Sequence, residues 1–301
     1  MSEARRTAPV RTDKTDAPAS DDYDVVVVGG GASGLAAAVF TARYGLDTVV
    51  LDRGVSAIRR CYAVENYPGF LGIDPESFLS LARGHVRYEG GEVVDRHVRR
   101  VEREDGAFRV RTDGDDGDEG AALRADYVVA ATAYDADYLA GLRDGEFHGE
   151  GDHPVDADEA TGRTDVDGLY VAGWLSGDPH QVVISAGHGA RVAKSLVRDH
   201  RVNEEGFWEE VAQFWDWCVE EGTYGGEDWE AHVGEWVDER IPEDRDLDED
   251  RIAAVRRAIK EERRDIQTTA AERAERLRDA RALLDEVVSE GIPEPASPDA
   301  E

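Results

Sequence analysis

Residues 24–34 read DVVVVGGGASG, and this stretch decides the fold. The four consecutive valines at 25–28 are typical of a strand buried on both faces, as in a parallel sheet. They lead into three glycines at GxGxxG spacing, Gly29, Gly31 and Gly34, and then into the helix start LAAAVF. In such a turn the first glycine permits the bend, the second lets a pyrophosphate approach the backbone, and the third lets the helix pack closely. The stretch therefore predicts a dinucleotide site.

A second strand follows and ends in an acidic residue. The segment DTVVLDR, residues 47–53, places Asp52 about 20 residues after the glycines, where a carboxylate binds ribose hydroxyls. The phosphates would lie on the free amides at the start of the helix, where the helix dipole is positive. The same glycine pattern also occurs in turns that bind no phosphate. The flanking strands favour the nucleotide site over that alternative.

The charge balance is extreme. Of 301 residues, 67 are Asp or Glu and 35 are Lys or Arg, so the formal net charge is -32. The only lysines are Lys14, Lys194 and Lys260, so arginine carries almost all the positive charge. Such a surface repels nucleic acid and anionic membranes, which excludes both as partners, and it favours a halophile with high internal salt. The two cysteines, Cys61 and Cys218, form no CxxC pair, and no metal site is predicted.

The chain divides by composition into four parts. Residues 1–21 are polar, lack the apolar segment of an export signal and are predicted to be disordered. Residues 22–202 predict an α/β nucleotide-binding domain with a central parallel sheet and a small β-meander. Residues 203–292 are charged and predicted helical, and residues 293–301 are predicted to be a disordered tail. No stretch approaches the length of a membrane span, so we expect a cytoplasmic protein.

Tryptophan is concentrated in the helical region. Five of the six tryptophans lie there: Trp208, Trp215, Trp217, Trp229 and Trp236. Aromatic residues at helical spacing form cores, so we interpret them as the core of a helical subdomain, with Cys218 inside it. The alternatives are a cover over the preceding domain and a homodimer interface. Beyond Asp246 apolar residues recur in threes and fours, which predicts a long amphipathic helix or a hairpin.

Five motifs occur in an order that carries a family resemblance. They are GGGASG at residues 29–34, ENYPGF at 65–70, YVVAATA at 127–133, GLYVAGW at 168–174 and HQVVISAGHGA at 180–190. Over residues 23–200 the sequence resembles the flavin domain of the thioredoxin reductase family, a branch of the FAD-dependent pyridine nucleotide-disulfide oxidoreductases. In that family an inserted NADPH domain, with its own glycine fingerprint and a CxxC, separates two halves of the flavin domain.

This chain differs from the family where that domain would be inserted. Only about 30 residues separate Ala133 from the segment TDVDGLYVAGW, which is too short for a separate domain. The resemblance therefore implies a flavin domain without its pyridine-nucleotide domain, and without the dithiol of a functional thioredoxin reductase.

The resemblance also implies a cofactor site for FAD. The matched residues are Gly29, Gly31, Ala32, Ser33, Gly34, Asp52, Arg53, Asn66, Val98, Ala131, Thr132, Gly173, Trp174, His180, Gln181 and Val182. The glycines would hold the pyrophosphate, Asp52 the adenosine ribose, and the backbone near Val98 would border the adenine. Asn66 and the helix start at 180–182 would lie against the isoalloxazine, where a helix N-terminus stabilises negative charge on the reduced flavin.

Two departures from the family fall inside this site. The family aspartate that binds the ribityl chain is Trp174, and the glycine of the ATG strand is Ala133. A tryptophan could cover the flavin, but it cannot accept hydrogen bonds as a carboxylate does. Asp178 is the candidate substitute. The other interpretation of the departures is that flavin binding has been lost.

The leading hypothesis is an FAD-dependent oxidoreductase that passes electrons between the flavin and a small-molecule substrate or an electron-carrier protein. Cys61 precedes ENYPGF, next to Arg59 and Arg60, whose charges favour a thiolate, and His180 is placed beside the flavin. Both are candidate catalytic residues, and for Cys61 the alternative is a buried residue with no redox role. The alternative function is a flavin-binding regulatory or assembly module without turnover. The sequence identifies neither substrate nor electron donor.

Overall fold

A computed structural model describes residues 12–114, 119–142, 155–225, 227–243 and 247–291. The chain forms two compact units. The first contains the residues up to Ala193 together with those from Ala280 onward, and the second contains Lys194–Asp279. The predicted tail, 293–301, lies outside the described residues.

The first unit alternates strands and helices. In chain order its elements are β1 (Asp22–Val28), α1 (Ala32–Tyr44), β2 (Thr48–Leu51), a 3-10 helix (Ala57–Arg60), α2 (Pro75–Tyr88), β3 (Glu92–Val94), β4 (Val98–Glu104), β5 (Ala107–Asp113), β6 (Glu119–Ala130), a 3-10 helix (Asp137–Leu139), β7 (Leu169–Val171), a 3-10 helix (Gly173–Ser176) and α3 (Val182–Asn203). The predicted domain boundary after residue 202 falls within α3, and both predicted domain ranges stay predictions.

The strands form one sheet in the order β3-β2-β1-β6-β5-β4, and β7 also pairs with β6. Strands β3, β2, β1, β6 and β7 run parallel, whereas β4, β5 and the first half of β6 form an antiparallel meander. Val25, Val26 and Val27 are fully buried at the centre, because a parallel strand has both faces covered. The predicted fold class, a central parallel sheet with a small meander, is confirmed.

The N-terminal segment differs from its prediction. Of the residues predicted to be disordered, 12–21 are described, and they lie along the outer edge of the sheet. The Thr15 amide donates to the Val93 carbonyl at 2.9 Å, and the Asp95 amide donates to the Thr15 carbonyl at 2.8 Å. The open edge of β3 supplied unpaired backbone groups, and this short polar segment pairs with them.

The second unit contains α4 (Glu227–Asp238), α5 (Glu249–Asp265) and the part of α6 (Ala270–Gly291) up to Asp279, with two two-residue strands, β8 (Val219–Glu220) and β9 (Gln267–Thr268), paired in parallel. Its core consists of Phe207, Trp208, Val211, Ala212, Val233, Val237, Val255 and Ile259. The interpretation of the tryptophans as core holds for Trp208, which is fully buried, but is wrong for Trp217, which is 56% exposed. Cys218 is exposed and lies outside any helix, because its segment is extended as it enters β8.

The apolar repeat beyond Asp246 belongs to two helices. The break is set at Thr269. Its amide donates to the Glu272 carboxylate at 2.9 Å, and the Glu272 amide donates to the Thr269 hydroxyl at 3.2 Å. This reciprocal pair is a capping box, which starts a new helix. On α6 the repeat is largely exposed, since Leu277 is 65% and Leu284 43% accessible.

Candidate functional site

One cavity of about 650 Å³ opens at the carboxyl ends of β1, β2 and β6, within the first unit. This edge is where open α/β sheets bind ligands, and the volume is in the range of small-molecule sites. The sequence-predicted residues that line it are Gly29, Gly31, Ala32, Ser33, Asp52, Arg53, Cys61, Val98, Ala131, Thr132, Trp174, His180, Gln181 and Val182. Gly34, Asn66 and Gly173 do not line the cavity.

The glycine turn is packed tightly where the fold needs it and is open where a ligand would approach. A Cβ on Gly29, whose φ is +113°, would lie 2.6 Å from the Ala131 carbonyl oxygen, and one on Gly34 would lie 1.9 Å from the Gly29 oxygen. A Cβ on Gly31 would meet only the Ser56 hydroxyl, at 3.6 Å. Gly31 caps α1 without any side-chain hydrogen bond, so the first-turn amides have no capping partner from that residue. The turn can therefore hold an anion.

Asp52 is buried directly beside this turn. A Cβ on Gly30 would lie 2.4 Å from its carboxyl carbon, so only glycine fits there. The Asp52 carboxylate accepts from the Gly54 amide at 2.9 Å, and its second oxygen lies 3.6 Å from the Lys14 ammonium. Its side chain is 6% exposed, and it lines the cavity, as binding a ribose there requires.

The end of the cavity near Asp52 carries two further charged groups. The Arg53 guanidinium lies 3.1 Å from Nε2 of His97 and 3.6 Å from the carboxylate of Asp135. Because arginine can only donate, His97 accepts through Nε2. Partial burial, with the charges of Arg99 and Arg53, lowers the pKa of His97 below its usual 6.5. A neutral imidazole thus holds Arg53 at this end.

An aromatic group lines another part of the cavity. The rings of Trp174 and His180 are in contact, with centroids 3.4 Å apart, and Tyr134 lies 5.1 Å from Trp174. Asn66 donates from its side-chain amide to the side-chain oxygen of Gln181, so it positions a residue that lines the cavity. Three predicted residues, Trp174, His180 and Gln181, therefore meet here, just before the N-terminus of α3.

Gly173 acts through packing. Its φ is +76°, and a Cβ there would lie 2.5 Å from the Ser33 hydroxyl. The close approach brings the turn after β7 against the start of α1. Gly173 therefore supports the glycine turn without lining the cavity.

The suggested substitute for the family aspartate is engaged elsewhere. The Asp178 carboxylate lies 2.8 Å from Nδ1 of His188, a histidine that is 4% exposed and also accepts from the Gly173 amide at 3.0 Å. Burial lowers the pKa of His188, against the opposing effect of Asp178. Asp178 does not line the cavity, so its position does not support a role in place of the aspartate that Trp174 replaces.

Cys61 is exposed and lines the cavity, after the 3-10 helix Ala57–Arg60. The alternative of a buried cysteine is therefore wrong. Of the two adjacent arginines, Arg60 also lines the cavity, whereas Arg59 is bound by Glu76 at 2.8 Å. That pairing lowers the pKa of Glu76 to about 2. The charge of Arg59 is thus already balanced by a carboxylate.

Sequence reasoning missed part of the cavity lining. The additional residues include Ser56, Ile58, Arg96, His97, Tyr134 and Tyr138. They lie on loops and on 3-10 helices, where no periodic sequence pattern indicates which side chains face the cavity. The one available signal was the cluster of Arg96 and His97 just before Val98, which had been predicted to border the adenine.

Within the described ranges, no group of three or more His, Cys, Asp or Glu residues is arranged to hold a metal ion. Among the same residues, no helix combines the length and the apolar character needed to cross a membrane.

Comparison with known proteins gives matches over part of the chain. Residues 23–133 match the family model described as pyridine nucleotide-disulphide oxidoreductase. The thioredoxin reductase of Bacillus subtilis is 33% identical over 81 residues, which are 26% of each chain. That of Listeria monocytogenes is 39% identical over 80 residues, 24% of this chain and 25% of the relative. The chain thus spans about a quarter of the length of these relatives.

Solved structures show the same fold at lower identity. A thioredoxin reductase from Gloeobacter violaceus superposes with a TM-score of 0.52 at 18% identity, covering 62% of this chain and 97% of that one. The thioredoxin reductase of T. acidophilum gives 0.50 at 19% identity, covering 60% and 99%. Residues 23–133 are therefore similar in sequence to the pyridine nucleotide-disulphide oxidoreductase family model, and part of the chain is similar to thioredoxin reductases.

Proposed function

We propose that the protein is an FAD-dependent oxidoreductase whose flavin exchanges electrons with a substrate or partner from outside the chain. The observation that carries this proposal is the single cavity that joins the Asp52 end, the glycine turn and the aromatic end. A dinucleotide needs all three parts, for ribose, pyrophosphate and ring. FAD would supply the redox chemistry, because none of the side chains lining the cavity provides a dithiol pair.

The residues present fit the adenosine half of FAD well. Gly31 leaves open space above unpaired helix amides, and Asp52 offers carboxylate oxygens beside them. Arg53 and Arg96 add positive charge in a chain whose net charge is -32. Such local cations attract an anionic ligand that the rest of the surface would repel.

Near Trp174 the cavity is lined by aromatic rings and by the N-terminus of α3, at the position where the family has a carboxylate. Trp174 and His180 present flat surfaces for stacking, and the N-terminus of α3 stabilises negative charge on an adjacent ring. His180 presents an exposed imidazole, and Cys61 offers an accessible thiol at the same cavity. These two residues are the proposed catalytic groups.

The source of electrons is the second part of the proposal. Residues 131–168 connect β6 to β7 where the family inserts a nucleotide domain. The reductant would therefore be a small molecule or an electron-carrier protein that reaches the open end of the cavity. Tyr134, which is 60% exposed and lines the cavity, provides apolar contact area there.

The test is the flavin content and reduction of the purified protein. We expect a yellow protein that releases FAD on denaturation and is reduced by dithionite, with no saturable reduction by NADPH or NADH. A colourless protein that gains no flavin spectrum when titrated with FAD would contradict the cofactor. Rapid, saturable reduction by NADPH would contradict the external electron source.

One observation favours a second function. Because Asp178 does not line the cavity and Trp174 replaces the family aspartate, the flavin end lacks the carboxylate that binds the ribityl chain. A module that binds the nucleotide for regulation or assembly would need only the adenosine half. Equal affinities for FAD and ADP, with no turnover of thiols, quinones or carrier proteins, would support this module, whereas FAD binding more tightly than ADP supports the enzyme.

The acidic composition leads to a proposal about the ionic strength at which the protein is stable. A net charge of -32 destabilises a compact state through self-repulsion unless counterions screen it. The protein would therefore belong to a cell with high internal salt. Thermal unfolding between 0.1 and about 3 M KCl tests this, because screening is complete only at high ionic strength. A midpoint that does not rise with salt would contradict it.

The homodimer is proposed through α6. Leu277 and Leu284 are exposed and seven residues apart, which is the repeat that lets two helices pair along a seam. Light scattering of the full chain tests it, with Leu284→Glu as the variant that should give a monomer.

A further inference from the structure

The segment of residues 12–20, here the N-terminal strap, is fixed to the first unit by hydrogen bonds along its length. Besides the two bonds of Thr15 to the β3 edge, the Thr12 carbonyl accepts from Arg83 at 3.0 Å and the Asp13 carbonyl from Arg87 at 2.5 Å. The Ala19 amide donates to Glu92 at 3.1 Å. The strap therefore holds its side chains at defined positions against the end of β2.

Lys14 is the strap residue that reaches the nucleotide site. Its ammonium donates to the Asp52 carbonyl at 2.9 Å, and it lies 3.6 Å from the Asp52 carboxylate and 2.9 Å from that of Asp95. Its side chain is 14% exposed. It is also the only lysine among residues 1–193. A lysine ammonium is a compact charge with three donors, which suits a site that contains a carbonyl and two carboxylates.

The two sides of Asp52 face different groups. Asp52 lines the cavity, whereas Lys14 does not. The same carboxylate lies against Gly30 in the turn that would receive a pyrophosphate. A ligand with two phosphates would bring negative charge next to an almost buried carboxylate, and such like charges repel strongly where water is excluded. A cation beside Asp52 but outside the cavity removes that repulsion without occupying the ligand's space.

We propose that Lys14 is a positioning residue of the nucleotide site: from the N-terminal strap it balances the charge of Asp52 and fixes the direction of its carboxylate toward the ribose hydroxyls. This inference rests on the proposed function, since it needs an adenosine nucleotide in the cavity. It assigns the strap a role in ligand binding. A role in covering the sheet edge alone would not require a lysine at this position.

The experiment is a double-mutant cycle on ligand affinity. Calorimetric titration of the full chain with ADP and with 2′-deoxy-ADP, at constant pH and salt, would compare the unchanged protein with Lys14→Met, Asp52→Asn and the double variant. Lys14→Arg keeps the charge, and Lys260→Met removes a lysine of the second unit that is paired with Glu230 at 3.7 Å. Circular dichroism would check that each variant is folded.

We expect Lys14→Met to weaken ADP binding about tenfold, the size of one charged hydrogen-bonded contact. In the Asp52→Asn background the same change should leave ADP affinity unaltered, because the carboxylate charge that Lys14 balances is gone. Discrimination between ADP and 2′-deoxy-ADP should shrink in Lys14→Met and return in Lys14→Arg. Lys260→Met should bind as the unchanged protein does.

Four results would overturn the inference. Equal ADP affinity of Lys14→Met and the unchanged protein would do so directly. A loss that persists in the Asp52→Asn background, or that is equal for ADP and 2′-deoxy-ADP, would mean that Lys14 acts on the fold or on the phosphates. If the unchanged protein binds neither ADP nor FAD, the proposed function fails first and the inference falls with it.

Discussion

The two units of the chain differ in whether their unusual glycine, aromatic and charged residues face a cavity or are buried. In the first unit the glycines of the turn create space at the sheet edge, and the charged side chains face a cavity. In the second unit Trp208 is fully buried, and the guanidinium of Arg201 lies over the ring of Phe207 at 3.7 Å. Among the described residues of that unit, the buried groups fill space and bind one another.

Charged side chains differ between the two units in the same way. Arg201 is completely buried and its guanidinium binds Glu262 at 2.5 Å, yet burial raises the pKa of that carboxyl group despite its partner. A buried ion pair of this kind contributes little net stability, because desolvation offsets the attraction. Arg53, in contrast, is 42% exposed at the cavity, where its charge is available to a ligand. The comparison shows that an unusual feature, such as a charged side chain or a cluster of glycines, indicates a function only where the fold leaves it accessible to a ligand.

The largest expected effect comes from filling the packed side of the glycine turn. Gly34→Val would place a branched side chain where a single Cβ already lies 1.9 Å from the Gly29 oxygen. Since backbone on both sides must move, we expect a loss of about 4–5 kcal/mol or more in the free energy of unfolding. Urea denaturation measures it. Native-like stability would mean that helix α1 can shift away from the turn.

The next effect tests the second unit. Trp208→Ala removes a fully buried side chain, whose indole also donates to the Arg240 carbonyl at 2.6 Å, and should cost about 3–5 kcal/mol. Binding of ADP to the cavity should be unchanged if the second unit has only a structural role. Calorimetry at a temperature where the variant is folded measures both. A large loss of ADP affinity would show that the helical unit supports the nucleotide site.

Gly31→Ala sharpens the contrast within the turn itself. The new methyl group would meet only the Ser56 hydroxyl, at 3.6 Å, and the residue's φ of -88° is allowed for alanine. We expect the free energy of unfolding to stay within about 0.5 kcal/mol, as for a substitution that breaks no contact. ADP affinity should nevertheless fall at least about tenfold, because the methyl group blocks the approach of the phosphates. Unchanged affinity would place the phosphates elsewhere.

The sequence predicted the first unit better than the second for physical reasons. Backbone geometry at Gly29, Gly34 and Asp52 follows from local spacing, so their places could be predicted. The pairing of Asp178 with His188 and the position of Lys14 depend on contacts between distant segments, which spacing does not encode. In the second unit the sequence does carry a local signal. Thr269 and Glu272 have the spacing of a capping box, which indicates that a helix starts within the apolar repeat.

The smallest effect concerns the titration of His97. Its pKa lies below the usual 6.5, so the native state holds it neutral while the unfolded state takes up a proton near pH 6.5. Its contribution to stability is thus present above that pH and is lost as the pH falls through the native pKa. Protonation also removes the acceptor that Nε2 provides for Arg53. We expect FAD affinity to fall a few fold between pH 7.5 and about 5.5, the range expected for one neutral hydrogen bond.

His97→Gln is the matched variant, because its side-chain oxygen can accept from Arg53 but does not titrate. Fluorescence titration with FAD at both pH values should show a smaller change for this variant than for the unchanged protein. Taking the difference between the two proteins removes the titration of all other groups. If both lose affinity equally, the neutral histidine does not hold Arg53 at the adenosine end, and the charge there depends on Asp135 alone, which lies 3.6 Å from the guanidinium.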